Sequence, residues 1–425
     1  MVGIVAYGAY VPRLRLNRQA VYDANKWFAA GLRGLAKGER SMANWDEDSI
    51  TMAVEASRDC LTSHKPEDVR NIYFASTTHP FKDRQNAGVI GTALSIEQNL
   101  SASDVSGSLK AGTSALMAGL NASRDGAPSL VAAADKRLAR VASANELNYG
   151  DGAAALLCGT ENVIAKLIGH HSVSMDFVDH FRGDETDFDY GWEERWIRDE
   201  GYSKIVPPAI KSGLAAAKLK GSDITHFIMP SPMPAVPKQM AKACGVADGA
   251  VRDLLGANLG DTGCAHALVM LVDALETAKA GDKIMVVAFG QGVDVLVFEV
   301  TAENAKLPKR RGVSGWLARR KEEKNYMKFL AFNEMLPIDK GMRAEFDKKT
   351  ALSVLWRKRD MIYGLVGGKC KVCGTVQFPR SQVCVNPNCH AIDSQEPHRM
   401  AGLEANVMSF TAEDRKSTRL NSSHT

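Results

Sequence analysis

"GSLKAGTSALMAGL", residues 107–120, decides how the chain is read. A Gly/Ser loop runs into Lys110-Ala111-Gly112-Thr113, and small residues then open an amphipathic helix. The pattern predicts a strand-to-helix corner, where unpaired N–H groups and the helix dipole favour an anion such as a thiolate. The corner's own side chains are Ser108, Leu109 and Lys110, with no thiol among them. The phrase returns downstream. "GANLGDTGCAHALVMLVDAL" (256–275) precedes the apolar run "KIMVVAFG" (283–290), as the first corner precedes "SLVAAAD" (129–135). Upstream, Asp68-Val69 leads into "IYFAS" and Asp223-Ile224 into "HFIMPS", 155 positions apart. Thr113 and Thr262 are placed at equivalent corners. Residues 1–300 therefore read as two related α/β halves, with helices covering largely parallel sheets on both faces.

Bulk composition narrows the class. The 425 residues are 45% hydrophobic and 24% charged, ordinary for a globular protein of two or three domains. No apolar run approaches the ~18–20 residues of a membrane span. The formal net charge of +4 is too small for a dedicated nucleic-acid surface. "MVGIVAYGAYVPR" reads as a first strand and not a signal peptide, which with free-standing cysteines points to a reducing, cytoplasmic setting. "DRKSTRLNSSH" lacks periodicity and matches a translated sequencing adapter. Residues 414–425 are expected to be an artefact, and its Asp414, Arg415, Lys416 and Arg419 supply +2 of the charge.

From about residue 301 the composition turns basic and interrupted, read as a helical linker over 301–365. "CKVCGTVQFPRSQVCVNPNC" follows. Cys370-x2-Cys373 and Cys384-x4-Cys389 form two knuckles, with Gly374 suited to the first turn. Four thiolates at ~2.3 Å make a closed tetrahedral zinc site, structural because it keeps no position open for substrate. A disulfide pair, an iron site or no metal is the alternative. "LEANVMSFTAED" reads as the first strand of a further β domain, completing a unit over 366–413.

With these pieces in order, residues 1–300 resemble the thiolase superfamily, nearest to 3-hydroxy-3-methylglutaryl-CoA synthases of bacterial and archaeal type. "VGIVAYGAYVPR", "DEDSITMAVEAS", "THP", "KAGTSAL", "YGDGAAALL", "LGDTG" and "FGQGVD" carry the likeness. Residues 325–413 resemble the zinc-ribbon plus OB-fold family through "GGKCKVCGTVQFPR". The resemblance implies a five-layer αβαβα fold with halves at 1–170 and 171–300. It also implies a homodimer and a pantetheine tunnel for a coenzyme A thioester. The family's Cys, Glu, His and Asn catalysts fall here on Leu109, Thr77, Pro230 and Asp261, so the usual acyl-enzyme chemistry is missing at that corner.

The remaining polar candidates are His79, Asp261, Cys264 and His266. His79 is a base or a structural ring in a His-Pro turn. Asp261 is a base or an N-cap. Cys264 is a thiol at a helix N-terminus or packing. Cys264 and His266 lie two apart, so only an irregular first turn turns both to one cavity. The acidic, aromatic segment from Asp176 to Tyr202 reads as a lid, with Arg182, Trp192 and Arg195 facing substrate, or as a surface insertion. Three functions follow. The first is an enzyme for aldol or retro-aldol chemistry on a β-hydroxyacyl-CoA, which needs a base and enolate stabilisation but no cysteine. The second is a non-catalytic scaffold for acyl-CoA or a thiolase-type partner. The third is a true synthase using Ser108 or Cys264 as nucleophile.

Overall fold

A computed structural model describes residues 1–96, 98–339 and 350–409. The stretch 414–425, read from sequence as an adapter artefact, lies outside them. The chain divides into two units, Met1–Lys349 and Thr350–Thr425.

The first unit is built on nine strands. In order they are His226–Ile228, Lys283–Phe289, Gly292–Val300, Ala165–Ser174, Gly3–Tyr10, Gly152–Gly159, Ser129–Asp135, Asn71–Ala75 and Ser101–Val105. Ala165–Ser174 touches Gly3–Tyr10 through only Gly3↔Lys166 and Ile4↔Ala165, so the ladder is two sheets joined at a narrow seam. The seam puts the whole strand from Ala165 in the second half, ahead of the boundary expected at residue 171. The sheets are mixed, not largely parallel. Asn71–Ala75 runs parallel to both neighbours and His226–Ile228 parallel to Lys283–Phe289, while the other pairs are antiparallel. Gly290 and Gln291 explain one reversal. A two-residue hairpin joins Lys283–Phe289 to Gly292–Val300, and so short a connection can join only antiparallel strands.

Helices complete five layers. Ser49–Cys60 covers the outer face of the first sheet and starts at an Asp48/Thr51 capping box. Ala111–Ala122 and His266–Leu275 lie between the sheets, and Ser203–Ala217 covers the second sheet. Strands with helices on both faces must be apolar throughout. "SLVAAAD" and "GAAALLCG" are buried at every position, and their alanines let the central helices come close. The duplication holds down to its turns. A single 3₁₀ turn, Pro66–Asp68 or Gly221–Asp223, leads into the matching strand of each half. Thr113 lies in the first turn of its helix, and Thr262 precedes the 3₁₀ turn Gly263–Ala265 that leads into the helix starting at His266.

Residues 301–339 belong to this unit and are not linker. Trp316 packs edge-on against Tyr10 at 4.6 Å, and strand Lys321–Glu323 pairs with Leu14–Asn17. Tyr326, Phe329 and Leu330 join a core with Leu16, Val21 and Met42. These side chains are too apolar to stay in water, which is what draws the segment in. In the second unit, helices Leu352–Arg357 and Arg359–Gly364 precede a three-stranded sheet of Val366–Cys370, Val376–Gln377 and Gln395–Arg399. The OB strand expected from Leu403 is not formed over the described residues 403–409, where no neighbouring strand offers ladder partners.

Candidate functional site

The two Gly-rich corners meet. A Cβ on Gly112 would stand 2.3 Å from the Cys264 carbonyl, so the glycine is what allows the helix start to touch the turn before the second helix. A Cβ on Gly290 would stand 2.6 Å from Ser108 Oγ, bringing the "FGQG" hairpin against the first corner. Ser108 Oγ donates to the Gly290 carbonyl at 2.5 Å and accepts from Lys110 N–H at 3.2 Å. Lys110 Nζ reaches Asp294 at 3.1 Å, and the hydroxyls of Thr113 and Ser114 donate to the same carboxylate. Lys110, Thr113 and Ser114 thus bolt the corner to the second sheet. Leu109, half-buried, is left at the tip.

A cavity of about 290 Å³ opens at Leu109. Its walls are mostly polar, with Thr77, Asp179, His180, Arg182, Asp189 and Gln291 among them. His180 Nδ1 lies 3.1 Å from Asp179 Oδ1. Burial disfavours the imidazolium, but the Asp179 carboxylate, with Asp189 adding to it, outweighs burial and raises the His180 pKa above its usual value. Nε2 makes no hydrogen bond among the described residues. Behind this pair lies a charge network. Asp189, whose side chain is shielded from solvent, accepts from Tyr149 Oη at 2.8 Å and from Arg182 at 2.6 Å. Arg182 also donates to the Thr77 carbonyl. Arg137 lies 3.9 Å from Asp189, pairs with Asp261 at 2.9 Å, and stacks over the Tyr149 ring at 3.8 Å. The segment from Asp176 to Tyr202 is therefore anchored through Asp189 to Tyr149 and, by way of Arg137, to Asp261 at the second corner.

The sequence candidates fall around this cavity unevenly. Asp261 Oδ1 accepts the Gly263 N–H at 2.9 Å, and its carboxylate faces Arg137. Burial alone would raise its pKa, but Arg137 and then His266 hold it below the usual carboxylate value. It is an anion locked behind the pocket. His266 has both ring nitrogens engaged: Nε2 with the Leu254 carbonyl at 2.9 Å, Nδ1 with Thr262 N–H at 3.2 Å. Burial pushes its pKa down. Both nitrogens of His266 are thus taken up by hydrogen bonds within the fold. Cys264 is buried, its N–H donating to Asp135 at 2.8 Å. Burial and then Asp135 push its thiol well above its ordinary pKa, the reverse of activation at a helix N-terminus. His79 packs edge-on against Phe74 at 5.0 Å outside the cavity lining, its pKa lowered by burial. Arg182 lines the cavity, whereas Arg195 is exposed and pairs loosely with Asp199 at 3.7 Å. Trp192 is half exposed. Asp179 and His180, adjacent in the segment 176–202, also line the cavity, and no periodicity in the sequence distinguishes them from ordinary surface.

The ribbon thiols converge. The Sγ atoms of Cys370, Cys373, Cys384 and Cys389 all lie within 4.8 Å of one another. Cys370–Cys389 at 3.9 Å and Cys373–Cys384 at 3.5 Å approach the ~3.8 Å edge of a tetrahedron with ~2.3 Å Zn–S bonds. Gly374 takes φ +76°, and its N–H closes the first knuckle onto the Cys370 carbonyl at 2.8 Å. Hydroxyls of Ser394 and Thr375 lie 3.1 and 3.2 Å from the sulfurs of Cys370 and Cys373. The four thiolates fit zinc, which would clamp the knuckles and do no chemistry.

Comparison with known proteins agrees with both units. Residues 214–298 match the model for the 3-oxoacyl-[acyl-carrier-protein] synthase III C terminal, and residues 360–392 the ChsH2 rubredoxin-like zinc ribbon. The chain is 30% identical over 313 residues to a hydroxymethylglutaryl-CoA synthase of Methanosarcina barkeri, covering 71% of this chain and 88% of that one. It is 29% identical over 331 residues to a synthase of the same name from Pyrococcus horikoshii, covering 75% and 93%. Among solved structures, an HMG-CoA synthase complexed with CoA superimposes with a TM-score of 0.68 at 17% identity, over 82% of this chain and 95% of that one.

Proposed function

The chain belongs to the hydroxymethylglutaryl-CoA synthase family, and from that premise we propose that it makes or breaks a C–C bond in a β-hydroxyacyl-CoA by aldol or retro-aldol chemistry, without a covalent acyl-enzyme. A coenzyme A thioester as substrate is carried over from the family and from the relative complexed with CoA. The observation that carries the reading is the His180–Asp179 pair, placed in the cavity where Leu109 replaces a nucleophile. In the cleavage direction, His180 Nε2 takes the proton of the β-hydroxyl. The Cα–Cβ bond breaks, its electrons form the thioester enolate, and the hydroxyl carbon becomes a carbonyl. The proton then returns from His180 to the enolate carbon, so no oxidant or cofactor is consumed. Asp179 steadies the transient imidazolium. The positive end of helix Ala111–Ala122 faces the corner and favours the developing negative charge. Asp261, with Arg137 and Asp189, positions the pocket from behind.

The test is to incubate the full chain with β-hydroxyacyl-CoAs of different side chains, and to follow shortened acyl-CoA and released carbonyl compound by chromatography. Cleavage or condensation that is lost in His180→Gln is expected. No reaction across the panel, with CoA thioesters still bound, refutes the reading and leaves a binding scaffold. An acyl adduct on Ser108 or Cys264 found by mass spectrometry refutes it in favour of covalent chemistry.

A further inference from the structure

We infer that a groove leading away from the Leu109 pocket is the binding site for an extended apolar acyl chain of the substrate. This assignment rests on the thioester reading above. Three cavities lie in series. The 290 Å³ pocket shares Ser106, Gly107, Ser108, Gly290 and Gln291 with a neighbouring cavity of about 330 Å³. That cavity shares Met175 with a third, of about 490 Å³. Met175 N–H donates to the Gln291 carbonyl at 3.1 Å, so the wall between the reactive end and the far end is one bonded piece of backbone.

Polarity drops only at the far end, since the middle cavity still carries Lys110, Ser114, Ser174 and Asp176. The far cavity is walled by Val173, Met175, Phe177, Trp196, Ile205 and Pro208. Its charged side chains, Glu200 and Lys204, pair with each other at 2.6 Å and leave no single charge for an ionic ligand. Phe177 and Trp196 stack at 4.4 Å, interplanar angle 9°, and form a flat wall. A second line of rings runs along the outer lid. Phe181, in the pocket wall, meets Tyr190 at 5.3 Å; Tyr190 meets Trp192 at 6.2 Å; Trp192 meets Trp196 at 6.3 Å. Phe181, Tyr190 and Trp192 are each about half exposed, at 52%, 55% and 51%. A monomer gains nothing by holding such rings in water. All sit on the short segment that also supplies Asp179, His180 and Asp189. The same piece of chain thus provides the acid–base pair and an apolar track away from it. A chain with a polar reactive head and a long apolar tail matches that order of surfaces.

The experiment measures binding, not turnover, so it survives failure of the aldol reading. Saturated acyl-CoAs with two, four, eight and twelve acyl carbons, which carry no β-hydroxyl to cleave, are titrated into the full chain by calorimetry, with CoA itself as reference. Affinity should rise about two- to fourfold per added methylene beyond the fourth carbon, given ~0.8 kcal/mol for a fully buried CH₂. Met175→Glu and Trp196→Ala should weaken dodecanoyl-CoA at least tenfold and leave acetyl-CoA within twofold; Trp196→Phe should restore most of the loss. Equal affinity for all chain lengths, or equal weakening of acetyl- and dodecanoyl-CoA, overturns the assignment. So does a change of oligomeric state in Met175→Glu, by light scattering, without chain-length dependence; that result would assign the groove to a second copy of the chain. Normal chain-length dependence with no cleavage of β-hydroxy substrates would leave the groove intact and sink the aldol reading alone.

Discussion

Replacing Asp179 by Asn removes a charge from the proposed acid–base pair with almost no change of shape. At 3.1 Å and an effective dielectric of ~20, the gross attraction between Asp179 and a protonated His180 is about 5 kcal/mol. Both side chains are only partly buried, at 24% exposed for His180 and 11% for Asp179, and burial of the imidazolium works against the pair. A net loss of about 1–2 kcal/mol is therefore expected where the imidazolium forms, equal to roughly a 5- to 30-fold fall in kcat. The pH profile should move as well. Asp179 is the main cause raising the His180 pKa, so without it the acid limb of kcat/KM shifts to lower pH even as the plateau falls. Stability gives an independent reading. Because the folded pKa is raised, the pair stabilises the fold fully below the ordinary value of 6.5, and that contribution fades as pH rises through the folded pKa. Asp179→Asn should therefore cost more stability at pH 5 than at pH 9. The assay is initial-rate cleavage of a β-hydroxyacyl-CoA between pH 5 and 9, with urea unfolding at both ends. A rate within twofold of the parent and an unmoved acid limb would refute the pair's role.

Other expectations are direct. His180→Gln should lower kcat by about 10²–10⁴-fold with little change in the affinity for CoA, measured by kinetics and calorimetry together. Asp189→Asn removes one partner of a buried charge network holding Tyr149, Arg182 and Arg137, and should cost about 3–5 kcal/mol in denaturant unfolding. Burial holds the His266 pKa below its usual value in the folded protein. The unfolded chain therefore takes up its proton first, stability falls as pH drops through about 6.5, and His266→Gln should flatten that part of the curve. Mass spectrometry should find one zinc per chain, absent in Cys373→Ser; a full complement of zinc in that variant would contradict the four-thiolate site. Iodoacetamide should leave Cys264 unmodified in the folded protein, since its thiol is buried and its pKa is raised.

Much of this arrangement is written locally. The repeated corner, the paired 3₁₀ turns and the alanine-rich strands are patterns within a few residues, so two layered α/β halves follow from the order of residues alone. The ribbon is equally local, because Cys-x2-Cys and Cys-x4-Cys fix ligand spacing within each knuckle. Segment 301–339 is not specified locally. Its apolar side chains alternate with charges, and nothing in the string shows that Tyr10, Leu16 and Met42 await them.

The site divides along the same line. Sequence alone determined that the first corner presents Ser108, Leu109 and Lys110 and no thiol, and that Lys110-Ala111-Gly112-Thr113 would start a helix there. Tertiary structure decided which polar groups face that gap. It buried Cys264, occupied both nitrogens of His266, and locked Asp261 onto Arg137. It brought Asp179 and His180 to the corner from some seventy residues downstream. The reason is physical. A turn or a knuckle is fixed by neighbours a few bonds away. Whether a titratable group is a base, a buried spacer or half of an ion pair depends on charges and solvent reached only after the chain has folded back on itself.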